Sequence, residues 1–534
     1  MKNIINKNKK TLKSFHIFFI LLIVTLIIPR LIVFISRQEY MEGFAYYYFF
    51  ARSIIIDHNF PLIGPVVGDV GGFAQGAGWF YLLTIPFFIF NGNPFGMSVL
   101  IFCISIVTLL LGSIIGYTII GKREGVLISI LLGTSPYLIS WSNDIWPPYV
   151  VPFIAVLYIL GLLLFLKINK KRYFFIMPIC LGAMAHFEIA SLGLLFPSFI
   201  SLTVFLFIKN KIIKKDILIS AIFFGSFFIP HLIYDLKNNF YNLKGILDLI
   251  LFKSSSDRSI TLSATLADRT HLLITDFIKV FPTPETGTLL LFILILLFGY
   301  LKLIGDKKIK NWQKIFTSYL LTSILLTFIS VCILPVERAS FWWLTYLTIF
   351  YIFFSGLITS YIYSTNYRLL KIILTVILSI FAYSFFNNFL IILNNEKQLR
   401  SVKYVISKQS PIEFIYKDSQ DKPFRTLFIT GEKDVVDYKY MLWYVGKTDF
   451  PNSQAIKLLD LNYTLKGGVL FSYDESTQFS NLKNGLYYLI ISKNSVENGH
   501  IDKILKNVNL DLKDTNYIDP SGYFEVKKFN IDKN

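Results

Sequence analysis

Charged residues are scarce in this chain of 534 residues, since Asp, Glu, Lys and Arg together make up only 16% of it. A soluble domain has about 25%. Apolar residues (Ala, Val, Ile, Leu, Met, Phe, Trp, Tyr and Cys) reach 54%, and aromatic residues alone reach 17%. A water-soluble enzyme of this size could not bury so much apolar surface, and a disordered chain requires low hydrophobicity. Both classes are therefore excluded.

Cysteine is scarce as well. The three cysteines, Cys103, Cys180 and Cys332, lie inside apolar runs, which excludes a disulfide framework and the spacing of a zinc site. Acidic residues number 34 against 52 basic ones, so the formal net charge is +18. The class that remains is a polytopic α-helical membrane protein with basic loops, for which we expect no nucleic-acid partner.

Apolar runs long enough for membrane helices recur along residues 1–394. A hydrocarbon core about 30 Å thick requires roughly 20 apolar residues in a helix, so the pattern predicts about eleven transmembrane helices. The runs at 125–141 and 173–187 are the short ones. The full set is 14–36, 94–120, 125–141, 146–166, 173–187, 189–208, 216–234, 285–304, 315–334, 339–364 and 369–393.

The distribution of lysine and arginine predicts the orientation. Five lysines lie between Lys2 and Lys13, before the first run, and basic flanks stay in the cytoplasm. The alternate loops hold most of the acidic and aromatic polar residues, at 37–78, 143–148, 186–188, 235–284 and 335–340. We predict a cytoplasmic N-terminus and functional residues on the outer face. The bias towards Ile, Phe, Lys and Asn indicates a bacterial source, and hence a multi-pass protein of the plasma membrane.

The composition changes after about residue 395, where Asn, Asp, Lys and Ser become frequent. Short β-type runs alternate with helical ones, which is typical of a small α/β domain. We therefore predict a transmembrane domain at 1–394 and a soluble α/β domain at 395–534. An odd number of spans places the second domain outside the cytoplasm. Its aromatic stretch from Tyr438 to Tyr444 fits either core packing or contact with a glycan.

The first outer loop is the most informative stretch. Glu39 and Glu42 are three residues apart, so in a helix they share one face. A carboxylate at the membrane boundary among Phe and Tyr is partly desolvated, which raises its pKa and makes it a better base. A solvated pair at a helix end fits the same residues.

Glycine is concentrated in the second half of this loop, where five glycines fall between Gly68 and Gly78. They prevent a continuous helix and allow backbone N–H groups to approach a ligand closely, although a plain flexible loop has the same composition. His186 and Glu188 lie where the fifth and sixth spans meet. They fit either a short wet turn or a functional pair.

Three segments together resemble the family 39 type of membrane glycosyltransferases, which includes protein O-mannosyltransferases and lipid A aminoarabinose transferases. The first is the outer loop from Ala51-Arg52 through Asn59-Phe-Pro-Leu-Ile-Gly-Pro65 to Trp79-Phe-Tyr-Leu-Leu83. The second is Tyr137 to Pro148, and the third is Ile229 to Phe240. The resemblance covers roughly residues 15–365 in pattern and order. It implies a GT-C fold and a polyprenyl-phosphate sugar donor.

The resemblance also implies site residues. The catalytic carboxylate is Glu42, with Glu39 or Asp57 as alternatives, because Met41 stands where many relatives have Asp. Asp144 in the second outer loop is a supporting carboxylate, although Trp146 is followed here by Pro147 rather than Asn.

Transfer with inversion requires a base for the acceptor hydroxyl and cations for the leaving phosphate. Outer-side candidates for phosphate contact are Arg52, His231 and Arg338, with Lys237, Arg258 and Arg269 as further cations. Alternatively, Arg338 anchors the helix at the membrane interface, within an aromatic belt that includes Trp342 and Trp343. No metal site is evident, because no His/Asp/Glu triplet is clustered. We expect no required cofactor, although a divalent metal is compatible with the sequence.

The leading hypothesis is a glycosyltransferase that moves a sugar from a polyprenyl-phosphate carrier to a hydroxyl of a cell-envelope acceptor, which is a glycan, lipid or protein. The partners are this donor, the acceptor and membrane lipid. The alternative is a flippase or transporter of lipid-linked sugars without chemistry, and a non-catalytic assembly subunit is a third possibility. A transporter is expected to carry ionisable residues or broken helices near the midplane, whereas the polar residues here gather at one face.

Overall fold

A computed structural model describes most of the chain. The described residues are 2–36, 45–67, 73–250, 262–282, 286–333, 340–399, 404–420, 422–429, 432–451, 485–492, 517–518 and 524–531. They form two compact units. The first contains Met1–Ser36, Leu62–Trp79 and Leu100–Asn394, and the second contains Arg37–Pro61, Phe80–Val99 and Asn395–Asn534.

Helices dominate the structure. They are α1 (Lys2–Ser36), α2 (Ala45–Ile55), α3 (Gly78–Ile89), α4 (Phe95–Ile115), α5 (Lys122–Thr134), α6 (Pro136–Ser140), α7 (Val151–Ile168), α8 (Ile176–Met184), α9 (Ile189–Ile208), α10 (Lys214–Ser226), α11 (Ile229–Lys237), α12 (Tyr241–Ile250), α13 (Leu262–Val280), α14 (Thr286–Gly305), α15 (Asn311–Ile333), α16 (Thr345–Ser364), α17 (Arg368–Leu399), α18 (Tyr404–Ser419) and α19 (Glu432–Asp449). Short 3₁₀ turns at Pro147–Val150 and Phe341–Leu344 precede α7 and α16.

Eight helical segments in the described part of the chain are long and apolar enough to cross a membrane. They are Phe15–Ile35, Phe95–Ile120, Pro147–Ile168, Ile189–Ile208, Thr286–Gly305, Asn311–Ile333, Phe341–Ser364 and Arg368–Ile391. The pair α10 and α11, bent by 55° at its break, makes nine if it counts as one span. Each of these nine coincides with a predicted run.

The two short predicted runs correspond to short helices. α5 has 13 residues and α8 has nine. In the first case the helix ends before Pro136, because a residue that precedes proline is forced out of the helical region. Ser135 has the extended conformation, with φ −62° and ψ 117°, and α6 begins at Pro136. The prediction of about eleven spans is therefore not confirmed by helix length.

The first unit is built around α16, whose residues are buried continuously from Thr345 to Ile362. A helix that is apolar all round belongs at the centre of a bundle, and α16 contacts α5, α7, α14 and α15. α1 instead exposes apolar side chains such as Ile20 and Leu21, which are 61% and 60% exposed, as expected of a face towards lipid.

A buried arginine holds α1 to the end of α5. Arg30 is 1% exposed, and its guanidinium donates to the carbonyls of Leu132 at 2.7 Å and Gly133 at 3.2 Å and to Oγ of Ser105 at 3.0 Å. The last carbonyls of a helix lack partners within that helix. Arg30 supplies these partners, so its charge is used for structure.

The second unit contains α2, most of α3, α18, α19 and a four-stranded sheet. The strands are β3 (Phe424–Ile429), β4 (Gly485–Ser492), β5 (Tyr517–Ile518) and β6 (Phe524–Ile531), numbered after the hairpin strands β1 (Ile63–Val66) and β2 (Ala74–Gly76) of the first unit. The sheet has the order β3-β4-β6-β5, and only β3 and β4 are parallel. The boundary between residues 394 and 395 stays a prediction, since this unit also includes parts of the N-terminal half.

The aromatic stretch of α19 lies inside the second unit. Tyr440 is fully buried and donates from its hydroxyl to the Gly92 carbonyl at 2.6 Å. Trp443 stacks on Phe87, with ring centroids 6.0 Å apart. These contacts are those of a packed core.

Candidate active site

The predicted site residues fall in different parts of the structure. Glu39, Glu42 and Arg338 lie outside the described residues. Arg52 and Asp57 belong to the second unit, whereas Asp144 and His231 belong to the first. The predicted roles of all seven stay predictions, and the geometry of each described residue follows.

Arg52 already has a negative partner. It lies in the last turn of α2, and its Nη1 is 2.7 Å from Oδ2 of Asp57 just beyond that helix. The guanidinium carbon also lies 5.1 Å from the ring centroid of Trp443, which is a cation–π distance. A phosphate would therefore meet a cation that is shared with a carboxylate and an aromatic ring.

His231 lies on α11, which begins at Ile229 with proline in its first turn. Its ring is 8% exposed and lies 6.1 Å from that of His186, centroid to centroid. Asp235, one turn later on α11, accepts from the backbone N–H groups of Asn242 at 2.8 Å and Leu243 at 3.0 Å. A carboxylate at a helix N-terminus is stabilising. Asp235 therefore fixes the start of α12.

His186 connects the end of the first outer loop to the turn between α8 and α9. Its Nδ1 accepts from the N–H of Gly78 at 3.1 Å, and its Nε2 donates to the carbonyl of Phe227 at 3.1 Å. These partners fix a neutral ring with the proton on Nε2. Burial, and secondly the neighbouring His231, lowers the pKa of His186 to about 4.

Two glycines of the predicted glycine-rich segment allow His186 to pack closely against the backbone. A Cβ atom at Gly76 would lie 2.1 Å from Nδ1 of His186, and one at Gly78 would lie 2.6 Å from its Cβ. The N–H of Gly76 also donates to the Ala185 carbonyl at 2.9 Å. At these two positions glycine is required for packing against protein. Gly68, Gly71 and Gly72 lie outside the described residues.

Glu188, for which the sequence left a wet turn and a functional pair open, is a helix cap. It is 2% exposed, and its Oε1 accepts from the N–H of Ala190 in the first turn of α9 at 3.1 Å. An acidic N-cap satisfies an N–H that has no partner within the helix. Ala185 and Glu188 are therefore the buried residues of the turn 185–188, and the carboxylate of Glu188 has a structural role.

Asp144 lies in the predicted second outer loop, beside a stack of aromatic rings. The rings of Tyr137 and Trp141 are 4.5 Å apart, and those of Trp141 and Tyr149 are 5.1 Å apart. The half-buried carboxylate of Asp144 lies within electrostatic range of Tyr149. The structure thus places Asp144 at one end of this stack.

The second outer loop also meets the turn before α16. Trp146 lies 4.9 Å from Trp342, and Tyr137 lies 6.2 Å from Phe341, as ring centroids. We call these six rings, Tyr137, Trp141, Trp146, Tyr149, Phe341 and Trp342, the aromatic cluster. Stacked and edge-on aromatic pairs are rigid contact surfaces, so the cluster presents a preorganised wall.

α13 brings two charged residues to the other end of the stack. Asp276 is 1% exposed, and neither carboxylate oxygen has a hydrogen-bond partner among the described residues. Burial raises the pKa of Asp276 well above its ordinary value, and Lys279 partly opposes this shift. Nζ of Lys279 lies 5.8 Å from the Tyr137 ring and 5.9 Å from the Phe341 ring.

Asp276 and Lys279 are not among the site residues predicted from the sequence. The only signal was their spacing of three residues within the predicted outer loop at 235–284, a spacing that in a helix places both on one face. Nothing in that spacing indicated that the face packs against α6 and the Phe341–Leu344 turn. Arg269 on the same helix was a candidate cation. It is 1% exposed and pairs with Asp268, at 2.8 Å from Nη1 to Oδ2.

Two crystal structures of ArnT from Cupriavidus metallidurans resemble the chain over nearly its whole length. The structure bound to undecaprenyl phosphate matches with a TM-score of 0.58 and 8% sequence identity, over 95% of this chain and 97% of that one. The apo structure matches with a TM-score of 0.57 and 9% identity, over 97% and 98%. No protein-family model matches the sequence, and no curated protein matches it at a significant level. At these identities the likeness establishes the fold alone: the chain has the polytopic helical GT-C-like fold that the resemblance implied.

Proposed function

We propose that the chain is a membrane glycosyltransferase that takes its sugar from a polyprenyl-phosphate carrier. The observation that carries this proposal is the fold likeness to ArnT bound to undecaprenyl phosphate, which extends over both compact units. The resemblance of the three sequence segments, in pattern and order, points the same way. The acceptor in this proposal is a hydroxyl of a cell-envelope glycan, lipid or protein.

The proposed reaction is a single displacement with inversion. A carboxylate takes the proton of the acceptor hydroxyl while the hydroxyl oxygen forms a bond to the anomeric carbon of the sugar. The bond from that carbon to the phosphate oxygen breaks, and the polyprenyl phosphate leaves with the electron pair. We assign the base to Glu42, with Glu39 or Asp57 as alternatives, and a supporting role to Asp144.

The charge that develops on the leaving phosphate requires fixed cations. Our candidates are Arg52, His231 and Arg338, and these side chains make a metal unnecessary in the proposed mechanism. In the case of Arg52 the phosphate would have to share the guanidinium with Asp57, since the two side chains are already paired at 2.7 Å.

The proposed topology counts eleven crossings, with α5 and α8 as short spans in addition to the nine longer ones. Helices of this length cross only part of a bilayer by themselves, so neighbouring protein must cover their ends. The basic N-terminus is then cytoplasmic, and the second outer loop and the C-terminal segment lie outside. We place the protein in the bacterial plasma membrane.

One observation favours the transporter alternative. The bent pair of α10 and α11 fits a broken span or a re-entrant loop, and transporters use broken helices to bind their cargo. Asp235, beyond the break, has a structural explanation, however, because it caps α12. We therefore retain transport as the second candidate.

Replacement of Glu42 by Gln tests both candidates. Membranes from the source cell lacking this gene supply the acceptor, and the carrier bears a radiolabelled sugar. We expect transfer by the purified full-length protein to be lost, while decaprenyl phosphate still binds. Glu39→Gln and Asp57→Asn are the matched controls for the choice of base. Transfer at the wild-type rate in Glu42→Gln would refute the assignment, and sugar-lipid movement between leaflets without transfer would favour the transporter.

A further inference from the structure

Asp276 is the most unusual polar group that the proposed mechanism does not use. Buried polar side chains in proteins nearly always have a hydrogen-bond partner, because a buried group without one is costly, and a charged one especially so. Both oxygens of Asp276 lack a partner among the described residues, and the side chain is 1% exposed. Such a group in a native fold requires an explanation.

A second buried polar atom without a partner lies nearby. The hydroxyl of Tyr137 has no hydrogen-bond partner within the described part of the chain, and it lies within electrostatic range of Asp276. α6, which carries Tyr137, contacts α13. A carboxyl group and a phenol that both lack partners at one helix contact indicate a place where a polar ligand completes the hydrogen bonds.

The surroundings determine what kind of ligand fits. The exposed Lys279, one turn from Asp276, places its ammonium group by the Tyr137 and Phe341 rings. A phosphate directly on Asp276 would face like charge when the carboxyl is ionised, and an apolar ligand would leave the oxygens without partners. A sugar provides hydroxyl groups for both polar atoms and an apolar C–H face for the rings. Aromatic walls with a few placed polar groups are typical of small-molecule sites.

We propose that Asp276, Tyr137 and Lys279 form a subsite for the sugar of the donor. The carboxyl of Asp276 accepts from a sugar hydroxyl, the Tyr137 hydroxyl donates to a second one, and the C–H face packs on the Tyr137 and Phe341 rings. Lys279, at the exposed side, lies towards the phosphate of the carrier. This inference rests on the proposed function, because it takes the ligand to be a sugar linked to a polyprenyl phosphate.

The test measures what the sugar adds to carrier binding. The full-length protein in nanodiscs is titrated with decaprenyl phosphate and with decaprenyl phosphate linked to mannose, glucose or arabinose. We expect the wild type to bind at least one sugar-linked carrier more tightly than the bare carrier. Asp276→Leu should reduce this ratio of affinities to about one, and Asp276→Asn should reduce it by about tenfold. Asp268→Asn, an exposed carboxylate on the same helix, should leave it unchanged.

A second measurement does not depend on a ligand. If Asp276 has no structural partner, Asp276→Leu should raise the melting temperature of the ligand-free protein, because it removes a buried group without a partner. A lower melting temperature would show a structural role and overturn the proposal. A sugar-dependent ratio that is unchanged in Asp276→Leu, or absent in the wild type, would overturn it too. Failure to bind bare decaprenyl phosphate would instead count against the proposed function.

Discussion

Replacement of His186 by Gln should remove a pH dependence of stability that the structure builds into the first unit. The imidazole is held neutral between the N–H of Gly78 and the carbonyl of Phe227. A glutamine amide can also accept from one and donate to the other, but it does not titrate. The difference between the two proteins therefore isolates the proton of His186 from the carboxylates that titrate in the same range.

The magnitude and sign follow from the shifted pKa of His186. Its ordinary value is 6.5, and burial beside His231 lowers the pKa of His186 to about 4 in the folded protein. Between these values the unfolded chain binds a proton that the folded chain does not. The contribution of the neutral His186 to the free energy of unfolding is therefore fully present above pH 6.5 and is lost as the pH falls to about 4. A difference of about 2.5 pKa units corresponds to about 3 kcal/mol.

Melting temperatures in detergent between pH 7.5 and 4 measure this effect. We expect the melting temperature of the wild type to fall more steeply than that of His186→Gln below pH 6.5, with parallel curves above it. His58→Gln is the matched control, since His58 is an exposed histidine beyond α2. This replacement should leave the dependence of the melting temperature on pH as it is in the wild type. Parallel curves for wild type and His186→Gln over the whole range would refute the account of the neutral ring.

Two further replacements test the packing around the site. Gly76→Ala should destabilise the protein by about 1–3 kcal/mol, because the new Cβ would lie 2.1 Å from Nδ1 of His186. Gly287→Ala is the control and should be tolerated, because no atom lies within 4 Å of the Cβ position there. Equal melting temperatures for the two variants would contradict this reasoning. Arg30→Met should cost about 3 kcal/mol or more, because it leaves the carbonyls of Leu132 and Gly133 buried without their donor. Thermal unfolding checks this loss, and a wild-type melting temperature would show that Arg30 does not cap α5.

The helical fold could be predicted from the sequence because the membrane core demands a long apolar helix for each crossing. That requirement acts on local sequence, so the predicted runs at 14–36 and 339–364 coincide with Phe15–Ile35 and Phe341–Ser364. The predicted run at 125–141 does not coincide with a single helix, because apolar composition alone does not reveal the break that Pro136 imposes. Pro136, the first residue of α6, was visible in the sequence, and the steric restriction that proline places on the preceding residue would have divided the run.

The candidate site was less accessible to sequence reasoning, because its chemistry depends on contacts between distant segments. Gly76 and Gly78 are read from the sequence as freedom for a ligand, but whether a glycine faces ligand or protein depends on its neighbour, which here is His186, 108 residues from Gly78. Asp276 similarly resembles any polar residue on an outer helix until α13 is placed against α6. A buried polar group therefore cannot be recognised before the tertiary contacts are known.

The aromatic stack links the predicted carboxylate to the one that only the structure identified. Tyr137, Trp141 and Tyr149 stack in that order, Asp276 lies within electrostatic range of Tyr137, and Asp144 lies within range of Tyr149. The two carboxylates therefore approach opposite ends of one rigid surface from segments more than a hundred residues apart. Their environments differ, since Asp276 is buried and Asp144 is half-buried. In the function we propose, the buried carboxyl of Asp276 would bind the sugar and the half-buried carboxyl of Asp144 would support its transfer, both held beside one stack of aromatic rings.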